Sequence, residues 1–185
     1  MVIPMKKCAE LAIIVPCYNE EEVLENSIKT LNKIYDDLIK NELIAPSSKI
    51  VFVNDGSKDQ TWPLIQKAHK KQPHIKGICL SRNFGHQEAL LAGLYNTTAD
   101  IYITIDADLQ DDPAVIKNMV KEYYKGSEVV YGVRNKRDTD SFFKRNTALW
   151  FYKIMKILGV ELVSNHADFR LLSRRAVCTM AEFKE

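Results

Sequence analysis

The sequence predicts an α/β fold in which helices cover both faces of one mostly parallel, doubly wound β-sheet. Short apolar runs rich in β-branched residues, typical of buried strands, occur at residues 11–15, 50–53 and 101–105. Segments with apolar residues spaced by three and four, typical of amphipathic helices, separate these runs. Strands that alternate with helices in this way favour a parallel sheet, because each helix returns the chain to the same edge.

The first half of the chain follows this pattern closely. After the strand at residues 11–15, Asn19 precedes Glu22 by three residues, which resembles a capping box at the start of a helix. The next predicted strand, at residues 50–54, runs into a Gly-Ser turn. Residues 61–71 then form the second predicted helix, with a proline that is tolerated in its first turn.

The second half begins with a predicted strand at residues 76–80, a helix at 87–94 and the central strand at 101–105. Asp112 followed by Pro113 is typical of a helix N-cap with proline at the first helical position.

That helix is expected to end at Gly126, and a further strand is predicted at residues 128–131. Beyond Gly132 the pattern changes to a cluster of lysines and arginines and a predicted aromatic-rich helix at residues 142–158. A basic, aromatic helix of this kind either packs on the sheet or lies on an anionic membrane surface. A last helix is expected to start near Ser173.

Composition places the chain among ordinary globular proteins. Its 185 residues are enough for one domain with a sizeable core, and the net charge of +2 gives no indication of a nucleic-acid partner. Four cysteines without a Cys-x-x-Cys pair favour a reduced cytosolic setting. No apolar run is long enough to span a bilayer. We expect residues 1–185 to be one soluble domain that lacks its C-terminal part.

The central strand leads directly into two carboxylates, Asp106 and Asp108. Residues two apart in extended backbone leave the same face of a sheet, and ligands bind at the carboxyl end of parallel strands. Carboxylates held so close repel one another unless a cation or a proton lies between them. Mg²⁺ bridging to a substrate phosphate fits this pattern, because Mg²⁺ takes one or two carboxylates plus phosphate oxygens. The alternative is that these acids only cap the next helix.

Two other strand ends carry polar groups, at residues 16–20 and 54–57, and all three ends meet at one edge of a parallel sheet. The sequence has neither a glycine-rich dinucleotide fingerprint nor a Walker-type phosphate loop. Phosphates would therefore be bound by metal and arginine. Arg134 and Arg145 are candidates, because a guanidinium matches phosphate oxygens in two-point hydrogen bonding. The alternative for this basic cluster is a solvated surface.

Five motifs in chain order now resemble one family. They are Val15-Pro-Cys-Tyr-Asn-Glu-Glu21, Val53-Asn-Asp-Gly-Ser57, Leu80-Ser-Arg-Asn-Phe-Gly-His-Gln87, Asp106-Ala-Asp-Leu-Gln-Asp-Asp-Pro113 and Asp168-Phe-Arg-Leu-Leu-Ser173. Together they resemble family 2 glycosyltransferases of the polyprenyl-phosphate type, the relatives of dolichol-phosphate mannosyltransferase and bactoprenol glucosyltransferases. The resemblance runs from about Leu11 to the end of the chain and implies a GT-A fold, C-terminally truncated.

Carried over by position, the resemblance implies roles for individual residues. The nucleotide-sugar would be bound by Pro16, Tyr18, Glu20, Val53, Asp55, Asp106, Ala107, Asp108, Arg134 and Arg145. Within this set Val53 and Asp55 would hold the base, and the two arginines would meet diphosphate or acceptor phosphate. Mg²⁺ or Mn²⁺ would be bound by Asp106, Asp108 and Gln110. Asp168 occupies the position of the catalytic carboxylate.

The implied reaction is inverting transfer of a sugar from a UDP- or GDP-sugar to a polyprenyl phosphate at the cytoplasmic face of the cell membrane. The acceptor phosphate, with a second pKa near ~6, is largely dianionic at neutral pH, so Asp168 can orient groups rather than remove a proton. Family members usually continue into juxtamembrane or spanning helices, so membrane contact is expected through the missing C-terminal part.

Several other functions are compatible with parts of this sequence. A nucleotide-sugar-binding module without turnover and a family 2 transferase with a glycan acceptor both stay open. A sugar nucleotidyltransferase fits less well, because the glycine-rich signature near the first strand is missing. A phosphatase fits less well too, because its Asp-x-Asp usually follows the first strand.

Overall fold

The computed structural model describes residues 8–133 and 166–182, with side chains at 8–132 and 169–182. The six strands are β1 (Leu11–Cys17), β2 (Lys49–Asn54), β3 (Ile75–Cys79), β4 (Ile101–Thr104), β5 (Val129–Val133) and β6 (His166–Ser173). The helices are α1 (Glu21–Lys40), α2 (Thr61–Lys71), α3 (His86–Tyr95), α4 (Ile116–Tyr124) and α5 (Arg174–Glu182). A short 3₁₀ turn, Pro113–Val115, leads into α4.

The strands form one sheet in the order β3-β2-β1-β4-β6-β5. Pairings among β1, β2, β3 and β4 are parallel, whereas β6 is antiparallel to both of its neighbours. The carboxyl ends of β1, β2, β3, β4 and β5 therefore share one edge, and β6 begins at that same edge. The predicted mostly parallel α/β sheet is confirmed.

Alternate residues of the central strands face opposite layers of helices. In β1, Leu11, Ile13 and Val15 pack in the core that α1, α2 and α4 cover. Ala12 and Ile14 pack in the second core, on the side of α3 and α5. Because both faces are covered, all seven residues of β1 are buried, which explains the continuous apolar run in the sequence.

Sequence reasoning did not predict β6, and the predicted capping box is wrong. Residues of β6 pair with β4, about seventy positions earlier in the chain, and a local pattern carries no information on such a partner. Helix α1 begins at Glu21, with Glu20 at the N-cap position and no side-chain cap. The Asn19 side chain instead accepts a hydrogen bond from the Lys58 amide, at 2.9 Å. The cap at Asp112 is confirmed, because its Oδ1 accepts from the Ala114 amide.

Some predictions fall outside the described residues. The aromatic-rich helix at residues 142–158 lies there, as do Arg134 and Arg145. Over residues 8–133 and 166–182, none of the helices combines the length and apolar character needed to cross a bilayer.

Candidate functional site

A cavity of about 310 Å³ opens where the carboxyl ends of the parallel strands meet. The ends of β1, β2 and β4 and the start of α3 form its wall. Its lining residues are Pro16, Cys17, Tyr18, Glu20, Asp55, Asn83, Gly85, His86, Ala89, Asp106, Ala107 and Asp108. Seven residues predicted to bind the nucleotide-sugar thus surround one space. They are Pro16, Tyr18, Glu20, Asp55, Asp106, Ala107 and Asp108.

The turn after β4 carries the two aspartates at the cavity, and a residue of α1 holds this turn in place. Ser27, only 1% exposed, donates a hydrogen bond from its hydroxyl to the Ala107 carbonyl, between the two aspartates. Leu109 adopts a positive φ of 50° and reverses the chain. The Gln110 carboxamide donates to Asp108 Oδ2 at 2.7 Å. The Gln110 and Leu109 amides also donate within the turn, to Asp108 Oδ1 and the Asp106 carbonyl, both at 3.2 Å. The turn is therefore fixed by a contact from the core and by several contacts within itself.

The loops after β1 and β2 hold one another by reciprocal hydrogen bonds. The Glu20 amide donates to Thr61 Oγ1 at 2.8 Å, and the Glu21 amide donates to Asp59 Oδ2 at 3.1 Å. In the opposite direction, the Gln60 amide donates to Glu21 Oε2 at 2.8 Å. These bonds supply partners for the first amides of α1 and α2, and they fix Glu20 at the cavity.

Asp55 fixes the loop that precedes α3. Its side chain is 2% exposed, and its two oxygens accept hydrogen bonds from the amides of Phe84 and Gly85, at 2.8 and 2.9 Å. The adjacent Gly56 has a φ of +64°, and a Cβ there would lie 2.3 Å from the Arg82 carbonyl carbon. Asp55 and Gly56 together hold residues 82–85 tightly against the end of β2.

Negative charge accumulates in the cavity. The pKa of Glu20 is raised, first by partial burial and then by the nearby carboxylates Asp108, Asp106 and Asp59. A bound cation would relieve this repulsion, and the available donors are carboxylate oxygens, which suit Mg²⁺ or Mn²⁺. In the described part of the chain, no group of three or more His, Cys, Asp or Glu side chains is arranged to hold a metal alone. The residues fit a metal whose other ligands are substrate oxygens and water.

Ser27→Ala is expected to loosen the Asp106–Asp108 turn, because the buried Ala107 carbonyl loses its hydroxyl donor. Loss of such a partner costs about 1–3 kcal/mol in stability. We expect the Mn²⁺ concentration needed for half-maximal nucleotide binding to rise several-fold, as measured by calorimetry.

Ser27→Thr keeps the hydroxyl and should restore binding. Ser48→Ala is the matched control, since Ser48 is also buried and accepts a hydrogen bond from the Leu11 amide away from the cavity. If Ser27→Ala and Ser48→Ala have the same Mn²⁺ dependence, Ser27 does not position the turn.

Three predicted site residues lie outside the lining of the cavity or are described only in part. Val53 is fully buried and packs beside Gly93 in the core that α3 covers, so its side chain does not reach the cavity. Gln110 is exposed and contacts the cavity only through Asp108. The backbone of Asp168 lies in β6, two residues before Arg170, which pairs with Thr104 of β4. Continuing this register brings the backbone of residue 168 level with Asp106.

Sequence reasoning missed five cavity residues: Cys17, Asn83, Gly85, His86 and Ala89. Asn83, Gly85 and His86 belong to the motif after β3 that carried the family resemblance, but no role was assigned to them. Cys17, between the predicted Pro16 and Tyr18, forms part of the wall, and burial and nearby Glu20 raise the pKa of its thiol. The signal available in the sequence was the position of residues 83–86 directly after a strand of the parallel sheet.

Comparison with known proteins identifies the family. The sequence model of the family described as "Glycosyl transferase family 2" matches residues 12–179 of this chain. The chain belongs to glycosyl transferase family 2. An uncharacterized glycosyltransferase YkoT of Bacillus subtilis is 50% identical over 177 residues, covering 95% of this chain and 52% of that protein. A bactoprenol glucosyl transferase of Shigella phage SfX is 40% identical over 169 residues, covering 91% of this chain and 53% of that protein. This family 2 chain therefore spans about half the length of the curated relatives it matches.

Solved structures agree on the fold of this family 2 chain. A mannosyltransferase from Pyrobaculum calidifontis, in complex with GDP-Man and Mn²⁺, superposes with a TM-score of 0.66 at 20% identity, over 97% of this chain and 48% of that one. Glucosyl-3-phosphoglycerate synthase from Mycobacterium tuberculosis, in complex with Mn²⁺, UDP and phosphoglyceric acid, superposes with a TM-score of 0.62 at 19% identity. The match covers 90% of this chain and 56% of that one. The predicted GT-A fold is confirmed.

Proposed function

We propose that this protein transfers a sugar, with inversion, from a nucleoside diphosphate donor to a polyprenyl phosphate. The observation that carries the proposal is the convergence of Glu20, Asp55, Asp106 and Asp108 on one cavity at the carboxyl edge of the sheet. Family membership supports the reaction class, and the bactoprenol glucosyl transferases among the relatives support the lipid acceptor. A UDP- or GDP-sugar is the proposed donor, since solved neighbours are bound to GDP-Man or UDP.

Asp106 and Asp108 are the proposed ligands of Mg²⁺ or Mn²⁺, with Gln110 supporting Asp108 through the hydrogen bond between their side chains. When bound, the metal would stabilise the negative charge that develops on the departing diphosphate. The protein's own part is to hold the donor. Tyr18 and Pro16 form one wall of the cavity, and Asp55 fixes the loop that forms the opposite wall.

Asp168 is the proposed catalytic carboxylate, acting on the acceptor side of the donor sugar. Its support is the position of its backbone at the beginning of β6, at the edge of the sheet where the cavity opens. The acceptor phosphate already carries negative charge at neutral pH, so Asp168 would orient groups more than remove a proton. Arg134 and Arg145 remain proposed contacts for diphosphate or acceptor phosphate.

We propose that the described chain forms the catalytic domain and that the full-length protein meets the membrane through a further C-terminal part. The support is the length of the relatives, about twice the matched region, together with an acceptor type that is embedded in a bilayer. This would place the active site at the cytoplasmic face of the membrane.

Transfer of radiolabelled sugar from UDP- and GDP-sugars to polyprenyl phosphate, by the full-length protein with Mn²⁺, tests the proposal. We expect a chloroform-soluble labelled product with one donor, and no product after chelation of the metal. Calorimetry together with the product assay distinguishes the proposed transferase from a binding module without turnover. Such a module would bind the nucleotide-sugar with Mn²⁺ but give neither lipid-linked product nor release of nucleoside diphosphate. Label found only on a soluble glycan would favour a glycan acceptor.

A further inference from the structure

His86 occupies a defined place in the cavity that no assigned role explains. It is the first residue of α3, and it lines the cavity close to the end of β4. Its Nε2 lies 3.6 Å from Asp106 Oδ1, a distance for electrostatic attraction that is longer than a hydrogen bond. The imidazole therefore lies beside Asp106, the predicted metal ligand, at the wall of the space that a donor would fill.

The position of His86 is fixed by its surroundings in the chain. Gly85, the residue before it, has a φ of 100°, a backbone conformation that residues other than glycine rarely adopt. The amide of Gly85 is held by Asp55 Oδ2, so the start of α3 is joined to the end of β2. Ala89, one turn further along α3, also lines the cavity.

The charges around His86 indicate what it would bind. The acidic residues of the lining are Glu20, Asp55, Asp106 and Asp108, and His86 is the one basic side chain among the described residues that line this cavity. A diphosphate entering here meets repulsion from the carboxylates. It therefore requires a hydrogen-bond donor beside them, and the start of α3 supplies His86 there.

We propose that His86 donates a hydrogen bond to the diphosphate of the sugar donor, beside the proposed metal ligand Asp106. This rests on the proposed function, and it adds a recognition residue to it. The bond needs only an N–H at Nε2, which both the protonated ring and one neutral tautomer provide. His86 thus distinguishes a nucleoside diphosphate from a nucleoside monophosphate, because the shorter ligand lacks the second phosphate.

Calorimetry with UDP, UMP, GDP and GMP in the presence of Mn²⁺ tests the proposal on wild type, His86→Ala and His86→Gln. A hydrogen bond to a charged group corresponds to roughly a tenfold or greater change in affinity. We expect His86→Ala to weaken binding of the preferred diphosphate by at least that factor while changing monophosphate binding little. His86→Gln, which keeps an N–H donor, should recover part of the difference.

Glu88→Ala is the matched control, because Glu88 is an exposed residue of the same helix turn that is absent from the cavity lining. The Glu88→Ala variant should bind the diphosphates and the monophosphates like wild type. An unchanged ratio of diphosphate to monophosphate affinity in both His86 variants would overturn the role of His86 and leave the proposed function standing. Failure of the wild type to bind any of the four nucleotides would contradict the proposed function itself.

Discussion

Asp108→Asn is expected to abolish the Mn²⁺ dependence of nucleotide binding and to lower sugar transfer by roughly 10²–10³-fold, the scale of losing one group that stabilises transition-state charge. The substitution keeps the size of the side chain and its hydrogen-bonding oxygen, but it removes the negative charge. Asp108 is exposed at the cavity, so the change leaves the buried core intact. Calorimetry with UDP and GDP, with and without Mn²⁺, measures the binding, and the transfer assay measures the rate.

Asp112→Asn provides the control in the same segment. It removes one charge only four residues away, and asparagine retains the oxygen that caps the 3₁₀ turn. We expect Asp112→Asn to behave like wild type in both assays. Binding by Asp108→Asn that still responds to Mn²⁺ and to a chelator as wild type does would exclude Asp108 as a metal ligand.

Asp55→Ala is expected to cause the largest loss of stability. The amides of Phe84 and Gly85 would lose their acceptor in a part-buried environment, at a cost of about 2–4 kcal/mol for the two groups together. For a chain of this size that corresponds to a decrease in the unfolding temperature of roughly 5–15 °C. Nucleotide affinity should also fall, because the freed loop carries Asn83 and leads into His86.

Thermal unfolding and nucleotide calorimetry would be measured on Asp55→Ala, Asp55→Asn and Asp36→Ala. Asparagine keeps one acceptor oxygen, so Asp55→Asn should lie between wild type and alanine in stability. Asp36 is an exposed carboxylate on α1, distant from the cavity lining, and its removal should change neither quantity. An unfolding temperature of Asp55→Ala equal to that of wild type would mean that the two amide bonds do not stabilise the loop.

The parts of the fold that depend on local pattern could be predicted from the sequence. The strands β1, β2 and β4 are apolar because both faces of the sheet are covered, and the acids after them lie at one edge because parallel strands share a direction. Strand β6 could not be predicted in this way. Its apolar residues are interrupted by Arg170, and its place depends on pairing with a strand distant in the chain.

The candidate site likewise combines features that a local pattern predicts with features that depend on distant contacts. Asp106 and Asp108 were predicted because their spacing alone places both at a strand end. The roles of Ser27 and Asp55 depend on contacts with backbone groups 80 and about 30 residues away, which no local pattern contains. The position of Val53 in a family motif did not reveal which face of β2 it occupies, and its side chain packs in the core that α3 covers.

The reversed direction of β6 determines where the chain can vary. Strand β5 finishes at the edge with the cavity, and β6 starts at that edge, with Val133 paired to His166. The described chain on either side of residues 134–165 therefore stops at the edge with the cavity. A connection between two neighbouring strand ends costs little extra closure entropy when it lengthens. Insertions or deletions between Val133 and His166 are therefore expected to leave the strand order β3-β2-β1-β4-β6-β5 unchanged.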